Sequence, residues 1–237
     1  MAKKDTDIAI VGMSCIYPGA GNVEEYWNNL VNGVDSITDV PADRIDHEYL
    51  QYVPGAVDRF YCKKGGFIAA PVIDPAKYGI LPIAAEGYDP EHIATMILAH
   101  QALEDAGVFE KNISLDNGSI ILGKGNFTGL SMLRVIDIVH TAAQVAEVVK
   151  TVIPDIPDDE LYKIKKNYQE SKGRYRADSA IGTMPNLVAS MVANKLDMHG
   201  PAYTIDGACA SSLIPINHSL QYLVSGQCDI AIAGGIH

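Results

Sequence analysis

Cys209 is the residue whose neighbours most plainly point to chemistry. It stands in YTIDGACASSL, residues 203–213, where an apolar strand pattern ends in Gly207-Ala208 and a helical pattern begins. Small residues on both sides let a backbone turn tightly and leave one side chain exposed at the turn. A helix start also offers unpaired N–H groups and partial positive charge, which favour a thiolate and can hold an oxyanion. Those features suit a cysteine that attacks a carbonyl. The competing reading of a lone cysteine is a small buried apolar residue, and the local pattern leaves both open. A thiol enzyme also needs a histidine near its cysteine in space. His47, His92, His100, His140, His199, His218 and His237 are available, and none stands in a catalytic motif. His100 and His218 fall on helices as packing or surface residues. His199, beside Gly200-Pro201, reads as a helix-end cation.

The other chemical patterns fail on inspection. Cys15, Cys62 and Cys228 have no comparable context, and there is no CxxC pair, so neither a zinc site nor a disulfide framework is expected. GSIILGKG at 118–125 nearly fits a phosphate loop. It ends on glycine where a magnesium-binding Ser or Thr is needed, and its middle reads as a strand. Gly123, Gly125 and Gly129 miss the dinucleotide spacing by one residue.

Composition narrows the setting. The 237 residues are 48% apolar and 20% charged, as in a globular protein able to bury its own core. Eighteen basic and 29 acidic residues leave a charge of −11, the wrong sign for gripping a nucleic-acid backbone. No apolar run approaches the roughly 18 residues of a membrane span. The opening MAKKDTD followed by IAIVGM lacks the features of a signal peptide. A reducing, cytoplasmic setting follows as the expectation.

The elements around Cys209 alternate strand and helix, which indicates an α/β layered fold. A β-branched run at 8–13 reads as a first strand. Val23, Tyr26, Trp27, Leu30 and Val31 line one face of a helix capped by Asn22 and stopped by Gly33. Residues 34–88, rich in Pro and Gly, read as an excursion of turns and short strands. Asp89 caps a helix with Pro90 in its first turn, running to Gly107. A buried strand follows at 119–122, a mostly apolar helix at 130–152, and a charged surface helix within 155–176, which closes on Arg174 and Arg176. The last third reads as a helix at 186–198, a strand at 203–208, a helix at 210–225 and a strand at 229–233.

Taken together, these pieces resemble the N-terminal half of a β-ketoacyl synthase, the condensing domain of fatty-acid and polyketide synthases. The resemblance covers essentially the whole chain. IAIVGMSCIYPGAGNVEEYWNNL resembles the family's opening strand and helix, and VNGVDSITDVPADR its next loop. QALEDAG at 101–107, DGACASSL at 206–213 and GQCDIAIAGG at 226–235 follow in the family's order. YCKKGGFI and the charged helix are most similar to synthases of the polyunsaturated-fatty-acid and iterative polyketide type.

The resemblance implies a thiolase-like layered sandwich of two α/β halves, here the N-terminal half over 1–237, with the excursion at 34–88 and the helical insert at 155–176. It implies that Cys209 accepts an acyl chain, and that a malonyl thioester then loses carbon dioxide and attacks that acyl group. Substrates are expected as phosphopantetheine or CoA thioesters, with no cofactor bound by this chain. The implied partners are an acyl carrier protein, the C-terminal ketosynthase half and a second copy in a homodimer, with no nucleic acid and no membrane. Thr183 and Asn186 fall where family members line the acyl pocket. The family's two catalytic histidines belong to its C-terminal half, so these residues alone are not expected to complete a condensation. A catalytically silent dimerisation or carrier-binding half-domain is the alternative. Thiolase-like cleavage shares fold and nucleophile, but IAIVGM and QALEDAG favour the synthase.

Three departures from the family pattern stand out. Gly207 replaces the usual Thr beside the cysteine and is expected to loosen the turn. Glu91-His92 replaces the usual glutamine pair after Asp89-Pro90. Pro215 falls beyond the first turn of the helix expected at 210–225, where it should bend it.

Overall fold

The computed structural model describes residues 7–85, 87–125, 129–173 and 177–236. In chain order the elements are α1 (Val23–Val31), β1 (Ile37–Asp39), β2 (Lys64–Gly66), α2 (Pro82–Ala85), α3 (Pro90–Asp105), β3 (Gly118–Lys124), α4 (Leu130–Ile136), α5 (Ala142–Val152), α6 (Asp158–Ser171), α7 (Leu187–Lys195), β4 (Ala202–Ile205), α8 (Leu213–Ser225) and β5 (Ile230–Ile236). The chain divides into two compact units. One takes the residues to Ala9, Val72–Ile97 and everything from Ile113 onward; the other takes Ile10–Pro71 and Leu98–Asn112.

The larger unit is organised by a parallel sheet in the order β4-β3-β5. All seven residues of β3 are buried. A central parallel strand is covered on both faces, so the run Ile120-Ile121-Leu122 is apolar on both faces rather than alternating. Ile120 and Ile121 are wholly out of water, as are Met96 of α3 and Val188 and Val192 of α7. Helices α7 and α8 pack against this sheet. The α/β class and the strand-helix order of the last third are as the sequence indicates. The apolar stretch at 130–152 is helical throughout but not uniformly α: α4 and α5 are joined by one π-helical turn, Asp137–Thr141. Arg174, Arg176 and His237 lie outside the described residues.

The smaller unit carries α1 and the antiparallel pair β1-β2, in register Ile37↔Gly66. Asn22 caps α1 by accepting the Glu25 N–H at 2.9 Å, while the Glu25 carboxylate reaches back to the Gly21 N–H at 2.7 Å. The first bond satisfies a donor the helix start leaves over, and the second ties down the chain just ahead of the cap. The apolar face of α1 forms as its spacing predicts, yet Trp27, Leu30 and Val31 are more than half exposed.

The strand expected at 8–13 does not form. The segment is in no ladder among the described residues, and Ile10, Val11 and Met13 are exposed. Alternating β-branched residues favour extended backbone, but a strand exists only beside a partner. Within the smaller unit the segment instead lies on α3. The Met13 N–H donates to Asp105 Oδ2 at 2.8 Å and the Ser14 hydroxyl to the Leu98 carbonyl at 2.7 Å. Gly12 permits this close approach, since a Cβ there would stand 2.2 Å from the Ala102 carbonyl oxygen. No described helix is long and apolar enough to cross a membrane.

Candidate active site

The turn that carries Cys209 leaves the C-terminal end of β4. The helix expected from 210 begins later: residues 208–210 form one 3-10 turn, and α8 starts at Leu213. Cys209 is therefore four residues ahead of α8 rather than at its first turn. Proline explains the delay. Pro215 is the third residue of α8, inside the first turn, where a missing N–H leaves no gap in the helix ladder. At that position the proline removes no bond from the ladder, so the cause of the expected bend falls away.

Two side chains brace the turn. Asp206 Oδ1 accepts the Ala208 N–H at 2.9 Å, and Ser211 Oγ accepts the Gly207 N–H at 2.9 Å. The Ala210 and Ser211 N–H groups donate to the Gly207 and Ala208 carbonyls, each at 3.0 Å. Of the amides from 207 to 211, that leaves the Cys209 N–H alone without a partner among the described residues. The Cys209 thiol is free and exposed. An exposed thiol beside its own unspent amide donor can attack a carbonyl carbon while that donor faces the developing oxyanion.

Gly207 is not simply loose. A Cβ at 207 would stand 2.3 Å from Ile214 Cδ1, so the Ile214 side chain occupies the space a threonine would take. The turn also presses on the sheet. A Cβ at Gly123, near the end of β3, would stand 1.8 Å from the Ser211 carbonyl oxygen. The glycine in GKG thus lets the nucleophile turn lie directly on the central strand.

At that same end of β3, Lys124 is buried and paired with Glu91 of α3. Asp89 Oδ1 accepts both the N–H and the hydroxyl of Ser131, and its Oδ2 is buried without a hydrogen-bond partner among the described residues. His92 is fully buried, and neither ring nitrogen finds a partner among the described residues. Burial pushes its imidazole below the ordinary value, against the pull of Glu91 and Asp89, with Lys124 adding to the lowering. Glu91-His92 therefore supplies buried Lys124 with a partly exposed partner carboxylate and sets beside it an imidazole that burial holds below its ordinary value. The partner of Glu91 was not foreseeable from sequence, since 33 positions separate it from Lys124.

The remaining candidates lie elsewhere. Thr183 donates its hydroxyl to the Ala180 carbonyl at 2.7 Å, and Asn186 is an exposed residue at the start of α7. Neither hydrogen-bonds to the Cys209 turn. Among the described residues no histidine bonds to Cys209. His218 meets the Tyr203 hydroxyl at 2.8 Å, His199 meets Asp116 at 2.7 Å, and His100 stacks on Phe109. Desolvation and the Tyr222 hydroxyl push the Tyr203 phenol up. No described group of three His, Cys, Asp or Glu residues could hold a metal ion. GSIILGK is β3 itself, not a phosphate loop.

Residues 5–237 match the family model described as Beta-ketoacyl synthase, N-terminal domain. The chain belongs to the β-ketoacyl synthase family. This ketosynthase chain is 35% identical over 236 residues to polyketide synthase PksN of Bacillus subtilis, covering 99% of the chain and 4% of that protein. It is 30% identical over 239 residues to one subunit of the polyunsaturated fatty acid synthase of a Thraustochytrium species, covering 97% of the chain and 8% of that protein. Its fold matches the ketosynthase from module 6 of the bacillaene synthase of Bacillus subtilis with a TM-score of 0.68 at 27% identity, over 97% of this chain and 31% of that one. An oxazolomycin ketosynthase domain from Streptomyces albus matches in fold with a TM-score of 0.71 at 24% identity, over 96% and 34%. The ketosynthase fold is thus the thiolase-like one expected, and the chain spans only a small part of its curated relatives.

Proposed function

We propose that this chain is the nucleophile-bearing half of a condensing acyltransferase. The observation that carries the reading is the exposed Cys209 thiol on a braced turn of the family's motif, beside its own unpartnered N–H. In the first step the thiolate attacks the carbonyl carbon of an acyl thioester, as a phosphopantetheine or CoA ester. A carbon–sulfur bond to Cys209 forms, the carrier's carbon–sulfur bond breaks, and the carrier thiol leaves with the proton. In the second step a malonyl thioester loses carbon dioxide, and the electron pair of the broken bond remains on its α-carbon. That carbanion attacks the Cys209-bound carbonyl, and the Cys209 thiolate departs as the 3-oxoacyl thioester forms.

The second step calls for histidines that these residues do not place at Cys209, and a ketosynthase C-terminal half supplies them. An acyl carrier protein or domain delivers both substrates, and the assembled enzyme is a cytoplasmic homodimer. Relatives named as polyketide and polyunsaturated fatty acid synthases support either kind of pathway.

The test combines this chain with a ketosynthase C-terminal half supplied in trans, an acyl primer thioester and a malonyl thioester. The 3-oxoacyl product, read by mass spectrometry, is expected only with both halves and to vanish in Cys209→Ala. Product at an undiminished rate from Cys209→Ala contradicts the reading. Complete absence of product and of any acyl-enzyme favours the silent half-domain.

A further inference from the structure

Ala208 holds a backbone conformation that its side chain resists. Its φ is +50°, in the left-handed region. The other described non-glycine residues with positive φ are Asn112 and Asp197, types whose short polar side chains tolerate that region. Alanine has no such means. Ala208 is nonetheless the residue directly before Cys209, so its φ and ψ set where the Cys209 amide and thiol point.

Hydrogen bonds on both sides of Ala208 oppose the strain: its carbonyl accepts the Ser211 N–H at 3.0 Å, and its own N–H is held by a side chain. The Asp206 carboxylate accepts the Ala208 N–H at 2.9 Å, two residues on, an arrangement in which a side chain stands in for a backbone turn. The neighbouring amide of Gly207 is held separately, by Ser211. We propose that Asp206 is a positioning residue for Cys209: it holds Ala208 left-handed, and so aims the Cys209 thiol and its unspent N–H at the same carbonyl. This deepens, and rests on, the assignment of Cys209 as acyl acceptor. Asp206 does not touch the substrate. Its carboxylate acts through a backbone that would otherwise relax to negative φ, turning the Cys209 amide away.

Two further substitutions separate the clamp from its charge and from the strain. Asparagine keeps the accepting oxygen, so Asp206→Asn should keep the clamp without its charge. Glycine adopts positive φ without a Cβ cost, so Ala208→Gly should make the clamp dispensable. The experiment uses the whole chain and butyryl-N-acetylcysteamine as the thioester probe. Peptide mass spectrometry follows acylation at Cys209, and iodoacetamide labelling of Cys209 reports its accessibility while protection of buried Cys228 reports the fold.

Asp206→Ala is expected to slow Cys209 acylation about tenfold, while Asp206→Asn and the double variant Asp206→Ala/Ala208→Gly stay within roughly threefold of wild type. Iodoacetamide labelling, which needs exposure but no oxyanion donor, should change far less than acylation. Wild-type acylation by Asp206→Ala overturns the positioning role, as does failure of Ala208→Gly to restore it. If the single change does not fold, the double variant decides alone: a near-wild-type rate supports the clamp and a slow one overturns it. A wild-type chain that labels at Cys209 but takes no acyl group overturns the acyl-acceptor assignment and the positioning role with it. That result is distinct from failure of the clamp alone, in which the wild type acylates.

Discussion

Lys124 Nζ lies 2.5 Å from Glu91 Oε1, with the lysine side chain 5% and the glutamate 20% exposed. An ammonium so far from water is tolerated only beside an opposite charge. Removing the glutamate alone should therefore do more harm than removing both charges. Glu91→Gln is expected to cost about 3–5 kcal/mol, whereas the double variant Glu91→Gln/Lys124→Met stays within about 1 kcal/mol of wild type. Urea denaturation of the single and double variants as a double-mutant cycle measures it. Equal costs for the single and double changes would contradict a paired, buried lysine.

His92 should give the chain a stability that declines on acidification. Its folded-state imidazole titrates below the ordinary value because it is buried. The unfolded chain therefore takes up the proton first. The stability this contributes is complete above about pH 6.5, the unfolded value, and is lost as pH falls from there through the folded value. Denaturation midpoints across this window should fall with pH, and His92→Gln should flatten the slope. An unchanged slope in His92→Gln would assign the decline to other groups.

Gly123 sets the approach of the nucleophile turn to the sheet. Gly123→Ala puts its Cβ 1.8 Å from the Ser211 carbonyl oxygen, a backbone atom that cannot rotate away. The expected cost is about 3 kcal/mol or more, together with loss of Cys209 acylation. Gly118→Ala on the same strand is the comparison. Its Cβ also meets a backbone oxygen, that of Leu115 at 2.7 Å, but at the far end of β3 from Cys209, so it should lose stability and keep acylation. Loss of stability with acylation intact in Gly123→Ala would show that the turn does not depend on this contact.

Gly207 and Ile214 should behave as one unit. A side chain at 207 meets Ile214 Cδ1, a movable methyl, so Gly207→Thr is expected to cost about 1–3 kcal/mol and Ile214→Val to recover part of it. Thermal denaturation of single and double variants tests the coupling, and strict additivity would refute it.

Much of this was legible in the residues. The Asn22 cap, the helix start at Pro90, the apolar centre of β3 and the strand-turn-helix around Cys209 each follow from local chemistry that tertiary contacts reinforce, whereas the Asp89 carboxylate, expected to cap α3, goes to Ser131 instead. The failures share one cause. The 8–13 segment has strand-forming residues, but a ladder depends on what lies alongside, and here α3 lies alongside. The start of α8 depended on Pro215, whose meaning reverses between a helix interior and a first turn. The Lys124–Glu91 pair joins positions far apart in sequence, with no local trace. Asp206 did carry a signal, since an aspartate two residues before an amide that needs an acceptor is the usual mark of a side-chain-supported turn.

The condensing role of this chain rests on Cys209 being the acyl acceptor. The decisive measurement is intact-mass and peptide mass spectrometry of the chain after incubation with a short acyl thioester. A single acyl adduct on Cys209, absent in Cys209→Ala and absent from Cys62, whose thiol is also exposed, is the predicted result. Acylation spread over Cys62 and Cys209 alike, or none at Cys209 while its thiol still labels with iodoacetamide, would contradict it.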